Sequence, residues 1–347
     1  MHFLWFITVV LSSLIYNTLQ VDEFDIFNEN FDFDFDIDKD LESFVESFNL
    51  LDFTWKAKIN EKFANMTADS RKLLCGVNSK SPETPAATPN FKTNSKIRSK
   101  RSNPSCTYNI EFDSRKQWPQ CADIINIIRN QGQCGIAGQW QVHLRLLIDD
   151  EILSCTSPTS GCVNGGSPPD AWQYMKNYGV VSGSNFEQKT GCKPYSINPE
   201  TDGPLPTPKC VSKCTNSKWP IQYNNDKKFA ISTGIIPGDM EVSEAVKAMK
   251  AEIKANGPIT GCMDTYDDFY HYGDGVYKRT TDKNPGGHAI RLIGYGTQTC
   301  SGKVQPFWLA INSWGKDWGM NGVFMIAQGI NECKIEAWGA AFGKPKV

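Results

Sequence analysis

The sequence predicts an α+β protein with a helical half and a β half, and three observations carry that expectation. Helix signals are clear over two stretches: Pro169 to Tyr178, closed by Gly179, and a run that Ser243 caps and that continues to Asn256. In the second, Val246, Met249, Lys250 and Ile253 recur at helical spacing, and Gly257-Pro258 ends it. Strand signals follow at Ala289 to Ile293, Phe307 to Ile311 and Val323 to Ala327, short apolar runs parted by Gly-rich turns. Helices come early and strands late, without the alternation that a parallel α/β sheet requires. No internal repeat and no membrane-spanning run stands out.

The elements before that region read differently. Phe3 to Tyr16 is mostly apolar, with Ser12, Ser13 and Asn17 near a cleavage region. It is too short to cross a bilayer, so residues 1–17 are expected to be a signal peptide. Asp22 to Glu46 is acidic, with Phe and Asp alternating from Phe31 to Asp36, and charge repulsion predicts an extended, solvated tail. Leu51 to Leu74 is helix-like, with Trp55, Ile59, Phe63 and Met66 near helical spacing. It also holds a glycosylation sequon at Asn65. Ser79 to Ser102 shifts to Ser, Pro, Thr, Asn and Lys, a linker ending in Lys100-Arg101, either a processing site or simply solvated basic chain. A folded unit is expected to begin near Cys106, giving a tail-and-linker region over 18–103 and a main domain over 104–347.

Composition sets the compartment. Twelve cysteines in 347 residues, most of them after Cys121, point to disulfides and the secretory pathway. A formal net charge of -2 gives no sign of a nucleic-acid partner.

Four short patterns carry chemistry: Gln131-Gly132-Gln133-Cys134-Gly135, Gly161-Cys162-Val163-Asn164-Gly165-Gly166, Gly286-Gly287-His288-Ala289-Ile290, and Asn312-Ser313-Trp314-Gly315, which begins 24 residues after that histidine. In this order they resemble the papain family of cysteine peptidases. Trp118-Pro119-Gln120-Cys121, Val181-Ser182-Gly183, Gly191 to Ser196 and Pro208-Lys209-Cys210 look like its cathepsin B branch. Thr54-Trp55-Lys56-Ala57 with Leu73-Leu74-Cys75-Gly76 is similar to that branch's short propeptide. The resemblance covers roughly residues 45 to 347.

It implies a papain-like two-lobed fold, a helical half beside a β-barrel-like half, with a peptide or protein substrate and the chain's own propeptide as partners. It implies no cofactor, metal or membrane anchor, and a lysosomal or extracellular destination. His288 would be the acid/base, and Asn312 would orient its imidazole. Gln131 would stabilise the oxyanion, and Trp314 would shield the His–Asn pair from water. Gly165 and Gly166 would let a peptide lie against the backbone, and Trp338 falls where an acidic residue often lines a specificity pocket. Disulfides would join Cys134 to Cys162, Cys155 to Cys210 and Cys192 to Cys214.

The sequence departs from the family at the decisive place. The family nucleophile stands three residues after the Cys of Gln-Gly-x-Cys-Gly, a slot that falls on Ala137 here. The spacing from Gly135 to Cys155 is also too short for the family, so the better reading is a central helix largely missing, nucleophile included. Cys121 is then left without the partner it would have at the end of that helix. The expectation is a peptidase homologue that is inactive as written. The alternative is an active lysosomal or secreted endopeptidase whose sequence here omits a segment. Between Cys192 and Cys210 there is no histidine, so the paired histidines that make cathepsin B relatives trim C-terminal dipeptides are absent.

Overall fold

A computed structural model describes residues 37, 40–51, 53–77, 106–135, 149–156, 161–283 and 285–346. The predicted signal peptide, the linker with Lys100-Arg101 and the Ala137 slot lie outside these residues.

The described helices are α1 (Leu41–Leu50), α2 (Glu61–Ala64), α3 (Ala68–Lys72), α4 (Ser114–Gln117), α5 (Ala122–Ile125), α6 (Asp149–Cys155), α7 (Pro168–Tyr178), α8 (Tyr223–Asp226) and α9 (Val242–Asn256). The strands are β1 (Trp55–Ala57), β2 (Thr107–Asp113), β3 (Ala230–Ile236), β4 (Ile259–Thr265), β5 (Tyr272–Tyr277), β6 (Gly286–Cys300), β7 (Lys303–Ile311), β8 (Val323–Ala327) and β9 (Ala340–Pro345). They form one sheet in the order β1-β5-β8-β7-β6-β4-β9-β3, with β2 added along β6. Every pairing is antiparallel except β5 with β8. This is the papain-like α+β fold, with the sheet in one half and α6 and α7 in the other.

Each half has its own core. In the sheet half, Ile293, Phe307, Leu309, Ile311, Met325 and Val276 pack together with Ile125 and Ile128. The helical half closes Ile152, Leu153, Trp172, Met175, Tyr195 and Ile197 around the Cys134 and Cys162 side chains. Gly179, at φ +66°, ends α7, a backbone state in which glycine meets no Cβ penalty.

Three expectations are corrected. Leu51 to Leu74 is not one helix. Trp55 and Ala57 point inward from a strand on the edge of β5, and Asn60 and Thr67 precede two short helices, Thr67 accepting from the Ser70 N–H. The strand pairing and the cap outweigh the helical spacing. The acidic tail does not stay solvated to its end. Asp40 caps α1 by accepting from the Ser43 N–H at 2.9 Å, and Phe44 and Phe48 are buried, so apolar burial overrides charge repulsion there. Ser243 is not the cap of α9, which starts at Val242 after Glu241 and has no side-chain cap. Its buried face is Ala245, Met249 and Ile253.

Candidate functional site

The register of β6 and β7 builds the centre of the site. Arg291 lies opposite Ile311 and Leu292 opposite Ala310. Carrying that register past the end of β7 brings residues 312–314 alongside residues 288–290. His288 Nε2 and Asn312 Oδ1 are 2.8 Å apart, and both residues are buried. Trp314 lies over the pair, its ring 4.9 Å from the imidazole, and Phe63 and Tyr270 pack on the indole at 5.4 and 5.0 Å. Water is thereby kept from the imidazole, and burial pushes its pKa down to about 4, against the Asn312 bond and the Leu74 backbone, which both favour the protonated form.

Gln131 is oriented by Ser313. The Ser313 hydroxyl donates to Gln131 Oε1 at 2.6 Å, and the Gln131 backbone N–H donates to the Ser313 carbonyl at 2.9 Å. That turns the amide nitrogen outward, where it donates to the Leu74 carbonyl and to the Cys134 carbonyl, both at 3.0 Å. A backbone carbonyl of the chain's own N-terminal segment thus sits between Gln131 and His288.

Residues 74–77 continue between two glycine walls. Gly76 and Val77 donate their N–H groups to the Gly287 carbonyl at 2.8 and 3.1 Å, and the Gly166 N–H donates to the Gly76 carbonyl at 2.8 Å. The bridge between Val77 and Gly166 is parallel. Gly165 has φ +70°, and a Cβ there would stand 2.2 Å from the Gly76 oxygen. Gly165→Ala is therefore expected to lose about 1–2 kcal/mol to the backbone state alone and to push Gly76 off the wall. Faster amide exchange at Gly76 and Val77 is the measurement, and unchanged exchange would count against the contact. Trp338 closes the far side: its Nε1–H donates to Asp264 Oδ1 at 2.8 Å and its ring faces Gly287.

The cysteines are fully accounted for. Cys134 is bonded to Cys162, Cys155 to Cys210 and Cys192 to Cys214, the pairs that the resemblance implies. Cys106 is bonded to Cys300, a pair the sequence left open. It follows from register, since Thr107 lies opposite Thr299 where β2 meets the end of β6. Cys75, Cys121, Cys262 and Cys333 are thiols. Cys121 packs beside the sheet-half core. Cys262 and Cys333 are buried, which pushes the first up to about 12 and the second well above its usual value. Cys75 is at the site, its sulfur 2.9 Å from the Thr265 hydroxyl and 3.4 Å from that of Tyr270, and burial raises its pKa as well. Asn65, the sequon asparagine, is exposed just after α2.

Of the residues singled out in the sequence, the structure groups His288, Asn312, Gln131 and Trp314 through Asn312, Ser313 and the indole over the imidazole, and sets Gly165, Gly166 and Trp338 around Gly76 and Gly287. Sequence reasoning missed Ser313 as the group that turns Gln131, and Leu74 as the carbonyl that Gln131 meets. The Leu-Cys-Gly run was visible, but nothing in its composition says that it threads the cleft.

The comparisons agree with this geometry. The model of the papain family cysteine proteases matches residues 108–341. The chain is 39% identical to cathepsin B-like cysteine proteinase 4 of Caenorhabditis elegans, over 68% of this chain and 75% of that one. It is also 39% identical to the gut-specific cysteine proteinase of the same organism, over 68% and 73%. Among solved structures it is similar to proCathepsin B S9 from Trypanosoma congolense, with TM-score 0.65 and 28% identity, covering 88% of this chain and 98% of that one. Digestive procathepsin L 3 of Tenebrio molitor shares the fold at TM-score 0.57 and 18% identity, covering 89% and 90%. With its His–Asn pair, its oriented glutamine and a prosegment lying in the cleft, the chain belongs to the papain family of cysteine proteases, in the cathepsin B-like branch.

Proposed function

We propose that this chain, as encoded, is a cathepsin B-like homologue that holds a peptide in its cleft without cleaving it. One observation supports the reading: among the described residues, none of the four thiols hydrogen-bonds to His288, whose ring bonds to Asn312 instead. The other eight cysteines are bonded in pairs. The thiol nearest the site, Cys75, belongs to the prosegment, and its burial disfavours the thiolate on which attack depends. Residues 136–148 contain no cysteine. A polarising glutamine and an oriented histidine without a nucleophile bind a carbonyl and form no acyl-enzyme.

The full-length chain, treated with a thiol-directed epoxide probe at pH 5.5, is expected to give no labelled product above a denatured control. Labelling that requires His288, or that persists when only Cys134 is left of the cysteines, would overturn the proposal.

The second reading, an active endopeptidase, is favoured by the intact His288–Asn312 bond and by Cys121, left as a thiol at the Trp-Pro-Gln-Cys position. Sequencing the transcript across the Gly135–Ile136 junction separates the two, because an in-frame insertion carrying Cys-Trp would restore the nucleophile. In either case Trp338 in the specificity pocket disfavours an arginine there. The lack of histidine between Cys192 and Cys210 disfavours trimming of dipeptides from C-termini. Four disulfides support passage through the secretory pathway, with residues 1–17 as signal peptide, 18–103 as acidic tail, propeptide and linker, and 104–347 as the peptidase-like domain. No helix among the described residues is long and apolar enough to cross a membrane.

A further inference from the structure

The turn between β8 and β9 carries a backbone cost that its contacts in the cleft explain. Asn331, Cys333 and Lys334 have φ of 55°, 50° and 57°, the left-handed region that an L residue enters only at a cost. Strain of this kind clusters where a side chain has to be aimed. The turn is closed by its own bonds. The Ile335 N–H donates to the Glu332 carbonyl at 3.0 Å, the Ala337 N–H to Asn331 Oδ1 at 3.0 Å, and the Trp338 N–H to the Lys334 carbonyl at 2.8 Å. Lys334 and Trp338, four residues apart in a helix-like turn, therefore project from one side.

Both side chains meet Asp264, which lies opposite Gly287 in the pairing of β4 with β6 and is buried. Asp264 Oδ1 accepts from the Trp338 indole N–H at 2.8 Å, and Oδ2 is 3.0 Å from Lys334 Nζ. Each carboxylate oxygen thus has its own donor, and the negative charge has a cation beside it. The indole is held against Gly287, where an added Cβ would stand 3.0 and 3.3 Å from two of its ring carbons. The Gly287 carbonyl is the one that receives the Gly76 and Val77 N–H groups, so the ring stands beside the backbone that occupies the cleft. Without the amine the buried carboxylate would be left uncompensated, and it would turn towards solvent or recruit another cation.

We propose that Lys334 is a positioning residue of the cleft: its ion pair fixes Asp264, Asp264 fixes the Trp338 indole, and the wall so formed offers an uncharged aromatic face in place of a carboxylate. The inference rests on reading the cleft as one that holds a peptide, and it names the class of side chain that this wall takes, apolar rather than cationic. A glycine at 334 would adopt the left-handed backbone freely but would supply no amine.

The test follows the indole N–H signal of Trp338 by heteronuclear NMR in the full-length chain, assigned by its loss in Trp338→Phe. Lys334→Met keeps most of the stem and removes the cation. Its unfolding midpoint should move little, because the ion pair is partly exposed. The Trp338 indole N–H should nevertheless exchange about tenfold faster, the weight of one hydrogen bond. Lys334→Arg should restore slow exchange. Guanidinium at non-denaturing concentration should shift the same signal saturably in Lys334→Met, beyond an equal concentration of sodium chloride, and should not do so in the parent. Adding Asp264→Asn should abolish that shift. Lys334→Gly, which removes the amine and the backbone cost together, is the fallback if the methionine variant does not fold, and it should show the same fast exchange. Unchanged indole exchange once the amine is gone, or equal responses of parent and variant to guanidinium, would overturn the proposal. Because no peptide has to enter the cleft, that failure is distinguishable from failure of the peptide-holding reading. The latter is tested separately by whether any cleft peptide displaces the prosegment.

Discussion

Trp55→Ala is expected to release the prosegment while the rest of the sheet stays folded. Trp55 is buried, with its ring 4.3 Å from Phe48, 5.1 Å from Tyr277 and 6.0 Å from Tyr272. Its indole N–H donates to the Lys278 carbonyl at 2.8 Å. Removing a buried tryptophan costs about 3–5 kcal/mol, and the Lys278 carbonyl would lose this donor. The strand that carries Trp55 has three residues and lies at the sheet edge, paired only to β5. Such an element opens locally long before the whole domain does. The Gly76 and Val77 amides, some twenty residues away along the chain and bonded to Gly287, should therefore exchange far faster in the variant, while amides in the middle of β6 keep their protection. Trp55→Phe restores the ring packing without the donor and should cost only about 1 kcal/mol. Unchanged exchange at Gly76 in the alanine variant would show that the cleft contacts alone hold the segment.

The fold and the centre of the site were legible in the sequence because both depend on local patterns. A short apolar run bounded by Gly-rich turns located Val323–Ala327 to the residue, and the 24-residue interval from His288 to Asn312 is what the β6–β7 hairpin needs to bring its two ends together. What was not legible depends on partners far away in sequence. Trp55, Ile59, Phe63 and Met66 fit a helical period, yet Trp55 is drawn into a strand by Gly275 and its neighbours on β5. Phe44 and Phe48 sit in an acidic run whose charges suggested solvent, but the Phe48 ring has Phe53 and Trp55 to pack on, and Phe44 packs on Phe48. Cys106 and Cys300 are 194 residues apart and become neighbours only through the pairing of β2 with β6. Lys62 and Asn130 meet only because the prosegment lies along the cleft. In each case the deciding energy is tertiary burial or pairing, which overrides propensity and leaves no local signature.

Acidification should test the prosegment-filled cleft through two buried groups that pull in opposite directions. His288 is held down at about 4 by burial, below the 6.5 of a free imidazole. As pH falls below 6.5 the unfolded chain gains a proton there that the folded chain refuses until about pH 4. Stability is lost across that window, by up to about 3 kcal/mol. Asp268 behaves oppositely. Burial raises it from 3.8 to about 6, against the Thr280 N–H and the Tyr277 and Thr280 hydroxyls that favour its charge. The folded chain therefore takes up that proton first, and stability is gained as pH falls from about 6 to 3.8, by up to about 3 kcal/mol. Between pH 6 and 4 the two contributions nearly cancel, so the parent chain is expected to show a shallow profile that hides both. His288→Gln keeps a side chain able to donate to Asn312 and removes the titration. Its unfolding midpoint in denaturant should rise on going from pH 6.5 to pH 4, relative to the parent. Asp268→Asn leaves the imidazole as the dominant group and should make the same midpoint fall steeply over that range. The double variant should return to a shallow profile. Parallel pH dependence in all four proteins would mean that neither group titrates as its burial requires, and that Trp314 with Phe63 and Tyr270 does not keep His288 from water.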